Sequence, residues 1–171
     1  MKNDLGRLLR QHRGEDVRFT TMFDLYALYR DFPAMEEADK VKHLPYERVK
    51  KLEQAFAADI ADTRFIAFIQ LHEFEAMLFC DPTAFAIYYE NCEKQIQALR
   101  DIAALVASPE LIDEGQHSAP SKRIEAHFPD YPDAKPDAPI AIATMIDLTA
   151  IRTRCPHMSG WIETLERLRG V

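Results

Sequence analysis

The sequence predicts an α/β fold, with a small, mostly parallel sheet followed by a mostly helical C-terminal half. Two short β-rich runs, at residues 17–23 and 65–69, flank an amphipathic helical pattern at residues 45–61. A strand–helix–strand unit of this kind joins parallel strands, nearly always through a right-handed crossover. After residue 80, helical periodicity and helix-start signals recur to the end of the chain.

The N-terminal half is predicted to open with a helix and a strand. Residues 4–13 place leucines at helical spacing, which indicates a short amphipathic helix that ends before Gly14. Residues 17–23 alternate β-favouring apolar side chains with polar ones, so they form a predicted strand that ends at Asp24. Residues 25–44 are mixed in composition and are predicted to form a long loop with room for one helical turn.

A helix and a second strand complete the predicted unit. Pro45 stands at a first helical position, and apolar residues then recur every three or four positions through residue 61. Residues 65–69 are continuously apolar, which is typical of a strand buried on both faces of a sheet. Residues 1–80 are therefore predicted to be the α/β part of a single domain that spans residues 1–171.

Residues 81–171 are predicted to be the helical part of that domain. Asp81-Pro82 is a cap and a first-turn proline for one long helix, or two abutting helices, extending to Val106. Further helices are predicted from Ser108-Pro109 to Gly115, from Pro120 to a point before Pro129, and over residues 140–146, 148–154 and 156–169. The proline-rich residues 129–139 are predicted to be a loop.

Composition excludes several protein classes. The chain has 171 residues, of which 47% are hydrophobic and only 5 are glycine, and this excludes disordered, collagen-like and low-complexity sequence. Cys80, Cys92 and Cys155 are widely spaced and form no CxxC pair, which excludes a zinc ribbon and favours reduced thiols. The apolar runs are far shorter than the roughly 20 residues that cross a bilayer, and the opening residues do not resemble a signal peptide. A cytoplasmic protein without a membrane span is expected.

Three carboxylates follow the two predicted strands. Asp24 ends the first strand, and Glu73 and Glu75 follow the second one. Because parallel strands end at the same edge of a sheet, these side chains are expected to converge there. Carboxylate oxygens suit Mg²⁺ or Mn²⁺, which would support phosphodiester chemistry. In the alternative interpretation, Asp24 caps a turn and the two glutamates lie at a solvated helix start, where the helix dipole favours acidic residues.

Two other metal patterns are weaker. His72-Glu73 begins like the zinc-protease HExxH motif, but Ala76 stands where the second histidine is required. His72 and Glu75 could share a metal, although a histidine bonded to nearby backbone is the alternative. The Cys155-Pro156-His157 sequence is interpreted as a buried thiol beside a first-turn proline rather than as a metal pair.

Basic residues give a candidate phosphate site. Lys122 and Arg123 stand at a predicted helix start, where free backbone N–H groups and two cations could hold a phosphate. The formal charge of −7 means that nucleic-acid binding needs such a local basic patch. The other basic clusters are Arg7, Arg10 and Arg13, and Arg152 and Arg154. Ordinary solvated surface charge is the alternative for each cluster.

Four segments carry a resemblance to a known family. They are TTMFDLYALYRDFP at residues 20–33, FIQLHEFEAMLFCDP at 68–82, SAPSKRIEAHFP at 118–129 and RTRCPHMSGW at 152–161. In this order they resemble the bacterial family called domain of unknown function 4276. The family is regarded as similar to Toprim domains, which bind Mg²⁺ through acidic residues after their strands to cleave or transfer nucleic-acid strands.

The resemblance assigns expected roles to the three carboxylates and an expected partner to the chain. Asp24 matches the acidic position after an inner strand, and Glu73 and Glu75 match the family's HEFE motif. Family members look like partners of ABC-type or AAA ATPases in phage-defence-like gene settings. The family normally opens with a strand and a V-E-G-x-T-E-like turn, neither of which occurs here. A truncated member that lacks this strand and one metal ligand is therefore expected.

Two functions remain open from the sequence. The first is a Toprim-like, Mg²⁺-dependent nuclease or phosphodiester-processing protein that uses Asp24, Glu73 and Glu75 and that is inactive if truncated. The second is a noncatalytic binding subunit that docks on an ATPase. Self-association is a further expectation, because a sheet that lacks a strand exposes an edge that another copy could cover.

Overall fold

The computed structural model describes the backbone of residues 2–112, 115 and 117–168. The chain divides into two compact units, Met1–Leu71 and His72–Val171. The first unit holds parallel strand pairs and helices, and the second is built from α-helices and 3₁₀ segments in its described part. The predicted fold class, an α/β protein with a small parallel strand set and a helical C-terminal half, is confirmed.

The strands of the first unit form two parallel pairs. They are β1 (Phe19–Thr20), β2 (Phe23–Asp24), β3 (Phe65–Ile66) and β4 (Ile69–Gln70). β1 pairs with β3, and β2 pairs with β4, both in parallel, as the strand–helix–strand prediction requires. The two predicted strands are nevertheless each divided in two. Between the pairs, the Thr21 hydroxyl lies 3.4 Å from both the backbone N and O of Phe68, so a side chain replaces the backbone ladder there.

Three helices and one 3₁₀ segment complete the described part of the first unit. They are α1 (Lys2–Gln11), the 3₁₀ segment Leu25–Ala27, α2 (Met35–Asp39) and α3 (Pro45–Ile60). The helices predicted over 4–13 and 45–61 are thus confirmed, and the predicted loop carries the short helix α2. α3 buries Val49, Leu52 and Phe56. The Phe56 ring packs against Phe32 and Phe65, with centroids 5.1 Å away in both cases.

The regular elements in the described part of the second unit are α-helices and 3₁₀ segments, joined by loops. Its helices are α4 (Glu93–Ala104), α5 (Pro120–His127), α6 (Tyr131–Ala134), α7 (Ala138–Met145), α8 (Leu148–Arg154) and α9 (Pro156–Arg167). Its 3₁₀ segments are Phe74–Cys80, Pro82–Ile87 and Pro109–Leu111. The cap predicted at Asp81 is confirmed, because its side chain accepts a hydrogen bond from the backbone N–H of Thr83. Ser108 caps Pro109–Leu111 in the same way, through the backbone N–H of Glu110.

The structure corrects two predictions in this unit. The predicted loop at 129–139 contains α6 and the start of α7, because its prolines occupy first-turn positions, where the missing N–H is not needed. Of the two arrangements predicted after Asp81, one long helix or two abutting helices, the structure has two helical segments. The first is the 3₁₀ segment Pro82–Ile87 rather than an α-helix, and the second is α4; they are separated at Asn91, whose φ of 50° is left-handed. α9 ends at Arg167, and residue 169 of the predicted helix lies outside the described residues.

None of the helices in the described ranges combines the length and the hydrophobicity that a membrane crossing requires.

Candidate functional site

The 3₁₀ segment Phe74–Cys80 runs through the interior of the second unit and carries the HEFE glutamates. Glu73 precedes it in extended conformation, and every residue from Glu75 to Cys80 is buried. Glu73 is 9% exposed and Glu75 is 7% exposed. Carboxylates this deep in a protein require hydrogen-bonding or charged partners, because their desolvation is otherwise very unfavourable. These glutamates are therefore not on a solvated helix start.

Glu73 is hydrogen-bonded at both carboxylate oxygens to a single residue, Ser121. The backbone N–H of Ser121 donates to Oε2 over 2.8 Å, and its hydroxyl donates to Oε1 over 3.1 Å. Ser121 lies in the first turn of α5, where backbone N–H groups lack partners within the helix. Glu73 therefore caps α5, and its negative charge also interacts favourably with the helix dipole.

Glu75 is held by two groups from the segment around α6. The hydroxyl of Tyr131 donates to Oε1 over 3.4 Å, and the Nζ of Lys135 lies 3.3 Å from the same oxygen. Burial, reinforced by the Glu75 carboxylate, raises the pKa of Tyr131 well above its ordinary value. Burial opposes the charge of Lys135, but the charge and hydrogen bond of Glu75, together with the charges of Glu73 and Glu125, outweigh it and raise the pKa of that ammonium group. Lys135 thus supplies a positive charge to this carboxylate.

These glutamates do not fit a metal site in this conformation. Both oxygens of Glu73 and one oxygen of Glu75 are already engaged by the protein. Within residues 2–112, 115 and 117–168, no three His, Cys, Asp or Glu side chains are grouped so that they could hold a metal ion. Asp24, the third predicted ligand, lies in the first unit, where it faces Gln70 across the β2–β4 pair. The structure thus brings together Glu73 and Glu75 within one segment.

Gln70 is a residue that sequence reasoning missed. It ends β4, its side chain is fully buried, and neither Nε2 nor Oε1 has a hydrogen-bond partner in the described part of the chain. A polar side chain embedded in a continuous apolar run was the only signal in the sequence.

The predicted phosphate site at the start of α5 already holds an anion. The Ser121 N–H, which could have bound a phosphate, donates to Glu73. Lys122 pairs with Glu125 over 2.6 Å, and the Nε of Arg123 donates to the Ser118 carbonyl over 2.6 Å. An anionic group does lie at this helix start, and it is the Glu73 carboxylate of the chain itself. Phosphate binding by Lys122 and Arg123 stays a prediction.

Arg152 and Arg154 also make contacts within the second unit. Arg154 donates through Nη1 to the carbonyls of Phe79 and Cys80, over 2.9 and 3.0 Å. Arg152 pairs with Glu166 on α9. The predicted basic spot at residues 152 and 154 therefore contributes to the packing of α8 rather than forming an open cationic patch.

A further buried carboxylate, Glu110, was not identified from the sequence as functionally important. It is completely buried and accepts hydrogen bonds from the backbone N–H groups of His157 and Met158, over 3.0 and 2.9 Å. Glu110 therefore caps α9, as Glu73 caps α5. Two of the longer-range connections of this unit are thus made by carboxylates bound to helix N-termini.

Apolar side chains are exposed on α7 and at the start of α8. Ala138, Pro139 and Ile142 are buried and anchor α7, whereas Ile140 and Met145 are more than half exposed. Leu148, the first residue of α8, is also exposed. These exposed apolar side chains make α7 and the start of α8 a candidate contact surface.

Comparison with known proteins identifies one family. The model of the family described as Domain of unknown function (DUF4276) matches residues 1–166. No curated protein and no solved structure matches the chain. The resemblance drawn from the four sequence segments is therefore confirmed at the level of the family.

Proposed function

Because this chain belongs to the family described as Domain of unknown function (DUF4276), whose description assigns no activity, we propose its function from its geometry. The chain acts as a noncatalytic binding subunit whose HEFE glutamates maintain the helical unit. The observation that supports this proposal most strongly is the complete engagement of the Glu73 carboxylate by Ser121.

The energetics of Glu73 favour a structural role over metal binding. Turning its carboxylate toward a metal ion would leave the Ser121 N–H and hydroxyl without their partner, although Ser121 is only 2% exposed. A buried donor that loses its acceptor costs about 1–3 kcal/mol. A metal ion would have to offset this loss, together with the separation of Glu75 from Lys135 and Tyr131. The hydrogen bonds therefore favour the metal-free arrangement.

The binding role is supported by the apolar side chains of α7 and α8. Ile140 and Met145 are exposed on α7, which is anchored by the buried residues Ala138, Pro139 and Ile142, and Leu148 is exposed at the start of α8. Apolar anchors on a rigid element favour binding, because little side-chain and backbone freedom is lost on association. The proposed partner is an ABC-type or AAA ATPase, the class that the family resemblance suggests.

The partner is tested by purification of the tagged full chain from its own cells. The proposal predicts that an ABC-type or AAA ATPase copurifies with the tagged chain and is identified by mass spectrometry. An Ile140→Asp, Met145→Asp double variant should lose it, because a charge on each apolar anchor must be desolvated on binding. Leu105→Asp is the matched control, since Leu105 is 81% exposed but lies after α4. Equal recovery by all three proteins would contradict the proposed surface.

The noncatalytic role is tested on the same preparations. Glu73→Gln combined with Glu75→Gln should retain the ATPase, since both substitutions keep the side-chain volume and one carbonyl acceptor. Cleavage of DNA or RNA with Mg²⁺ or Mn²⁺ is then measured for the natural chain and the double variant. Metal-dependent cleavage by the natural chain that disappears in the double variant would establish the nuclease prediction and refute ours.

A further inference from the structure

Two cysteines far apart in the sequence meet inside the second unit. The Sγ atoms of Cys80 and Cys155 lie 3.2 Å apart, although the residues are separated by 75 positions. Cys80 ends the 3₁₀ segment Phe74–Cys80, and Cys155 joins α8 to α9. We propose that Cys80 and Cys155 are a peroxide-sensitive modification site that closes to an intramolecular disulfide. Nothing in the predicted nuclease or binding functions requires this pair.

The backbone around both cysteines is held in place by Arg154. Its Nη1 donates to the carbonyls of Phe79 and Cys80, and Arg154 immediately precedes Cys155 in the chain. The two sulfurs are thereby kept adjacent without a covalent bond. A disulfide has an S–S distance of about 2.05 Å, so its formation requires the sulfurs to approach by little more than 1 Å.

The two thiols have different proton affinities, which assigns them different roles. The hydrogen bond between the two thiols lowers the pKa of Cys80, and the Arg154 guanidinium lowers it further. Burial and the carboxylates of Glu110 and Asp81 act in the opposite direction but do not outweigh these two effects. The same hydrogen bond and burial raise the pKa of Cys155, which therefore keeps its proton. Cys80 is also the more exposed of the two and its backbone carbonyl accepts from Arg154, so Cys80 is the nucleophile and Cys155 is the resolving thiol.

Hydrogen peroxide is the oxidant that fits this site. Cys80 is 6% exposed and Cys155 is fully buried, so a small molecule can reach Cys80 more readily than a bulky disulfide can. The Cys80 thiolate attacks one peroxide oxygen: the S–O bond forms, the O–O bond breaks, and the departing hydroxide takes up a proton to become water. Cys80 is now a sulfenic acid.

The second step consumes the Cys155 thiol. Its sulfur attacks the Cys80 sulfur, the S–S bond forms, the S–O bond breaks, and the hydroxyl leaves with the thiol proton as water. In total, two thiols lose two electrons and one peroxide is reduced to two waters. Cys92 takes no part, because it lies elsewhere in the unit, where its thiol donates to the Tyr89 carbonyl over 3.3 Å.

The test uses the full chain, reduced and freed of reductant, with hydrogen peroxide as the probe. After treatment, the chain is denatured in excess N-ethylmaleimide, and its intact mass is measured by mass spectrometry. We expect the number of alkylated thiols to fall from three to one, leaving Cys92, and dithiothreitol to restore all three. Peptide mapping should recover a Cys80–Cys155 link. Three alkylated thiols after treatment, or a bridge that contains Cys92, would overturn the proposal.

Two variants separate the roles of the cysteines. Cys92→Ser should form the same disulfide at the same rate, and it leaves both proposed residues intact. Cys155→Ser should stop at the sulfenic acid of Cys80, which dimedone traps and mass spectrometry locates. If Cys155→Ser does not fold, the result from Cys92→Ser decides alone, because the absence of a Cys80–Cys155 bridge in that variant refutes the site.

Discussion

Replacing Glu73 by alanine tests whether this carboxylate stabilises the helical unit. The change removes two hydrogen bonds to a charged acceptor, from the Ser121 N–H at 2.8 Å and from its hydroxyl at 3.1 Å. Each hydrogen bond to a charged group contributes about 1.5–3 kcal/mol, and the two share one acceptor and one donor residue, so they are not additive. We therefore expect Glu73→Ala to lower the free energy of unfolding by about 3 kcal/mol.

Glu73→Gln is the matched variant for this measurement. The glutamine carbonyl can still accept from the Ser121 N–H, and the glutamine amide can donate to the serine hydroxyl, so we expect a loss of only about 1 kcal/mol. Urea unfolding followed by circular dichroism gives the free energy for each variant, provided that the dependence on urea keeps the same slope. Ser121→Ala completes a double-mutant cycle, for which we expect a coupling energy of about 1–2 kcal/mol.

The sign of the effect distinguishes the structural role from a metal-ligand role. If Glu73 belonged to a repelling carboxylate cluster, its removal from metal-free protein would relieve that repulsion and leave stability unchanged or higher. An unfolding free energy of Glu73→Ala that equals or exceeds that of the natural chain would refute our reasoning. Full additivity with Ser121→Ala would refute it as well.

Three further predictions concern the other charged residues. Glu110→Ala should destabilise the protein by about 3 kcal/mol in urea unfolding, because the backbone N–H groups of His157 and Met158 at the start of α9 lose a fully buried acceptor; a loss below about 0.5 kcal/mol would contradict the assigned cap. Hydrogen bonds from Arg64 lower the pKa of Asp62 from 3.8 to about 2, so its stabilisation is present above pH 3.8 and disappears as the pH falls through about 2. The stability difference between the natural chain and Asp62→Asn should therefore shrink over that range, and a constant difference would argue against the ion pair. Arg154→Gln should slow the loss of alkylatable thiols in peroxide at neutral pH, because the Cys80 thiolate loses a favourable charge; an unchanged rate would remove Arg154 from the account.

The sequence predicted the local elements of the first unit better than their pairing. Pro45 and the spacing of apolar residues defined α3, and the continuous apolar run at 65–69 indicated a buried parallel strand. The division of each strand depends on the contact between Thr21 and Phe68, which are 47 positions apart. Local patterns carry no information about such a contact.

Proline caused the main error in the second unit. Residues 129–139 are predicted to be a proline-rich loop, whereas Pro132 and Pro139 lie in the first turns of α6 and α7. The same residue type was interpreted correctly at Pro45 and Pro120, where an apolar helical pattern followed at once. The turn at α6 is too short to show such a pattern, so the sequence could not separate the two roles of proline there.

The candidate site shows the same limit. The sequence identified an acidic segment at Glu73 and an anion-favouring helix start before Lys122, but it treated them as two separate sites. The structure joins them, because Glu73 and Ser121 are 48 positions apart and meet only when the unit folds. Likewise, three isolated cysteines gave no reason to pair Cys80 with Cys155.

The most direct test of the noncatalytic role is calorimetric titration of Mn²⁺ into the natural chain and into the Glu73→Gln, Glu75→Gln variant. Our account predicts no saturable heat that depends on these glutamates, because Ser121, Tyr131 and Lys135 already engage their carboxylates. Saturable binding by the natural chain that the double substitution abolishes would contradict the account and return both glutamates to a metal centre.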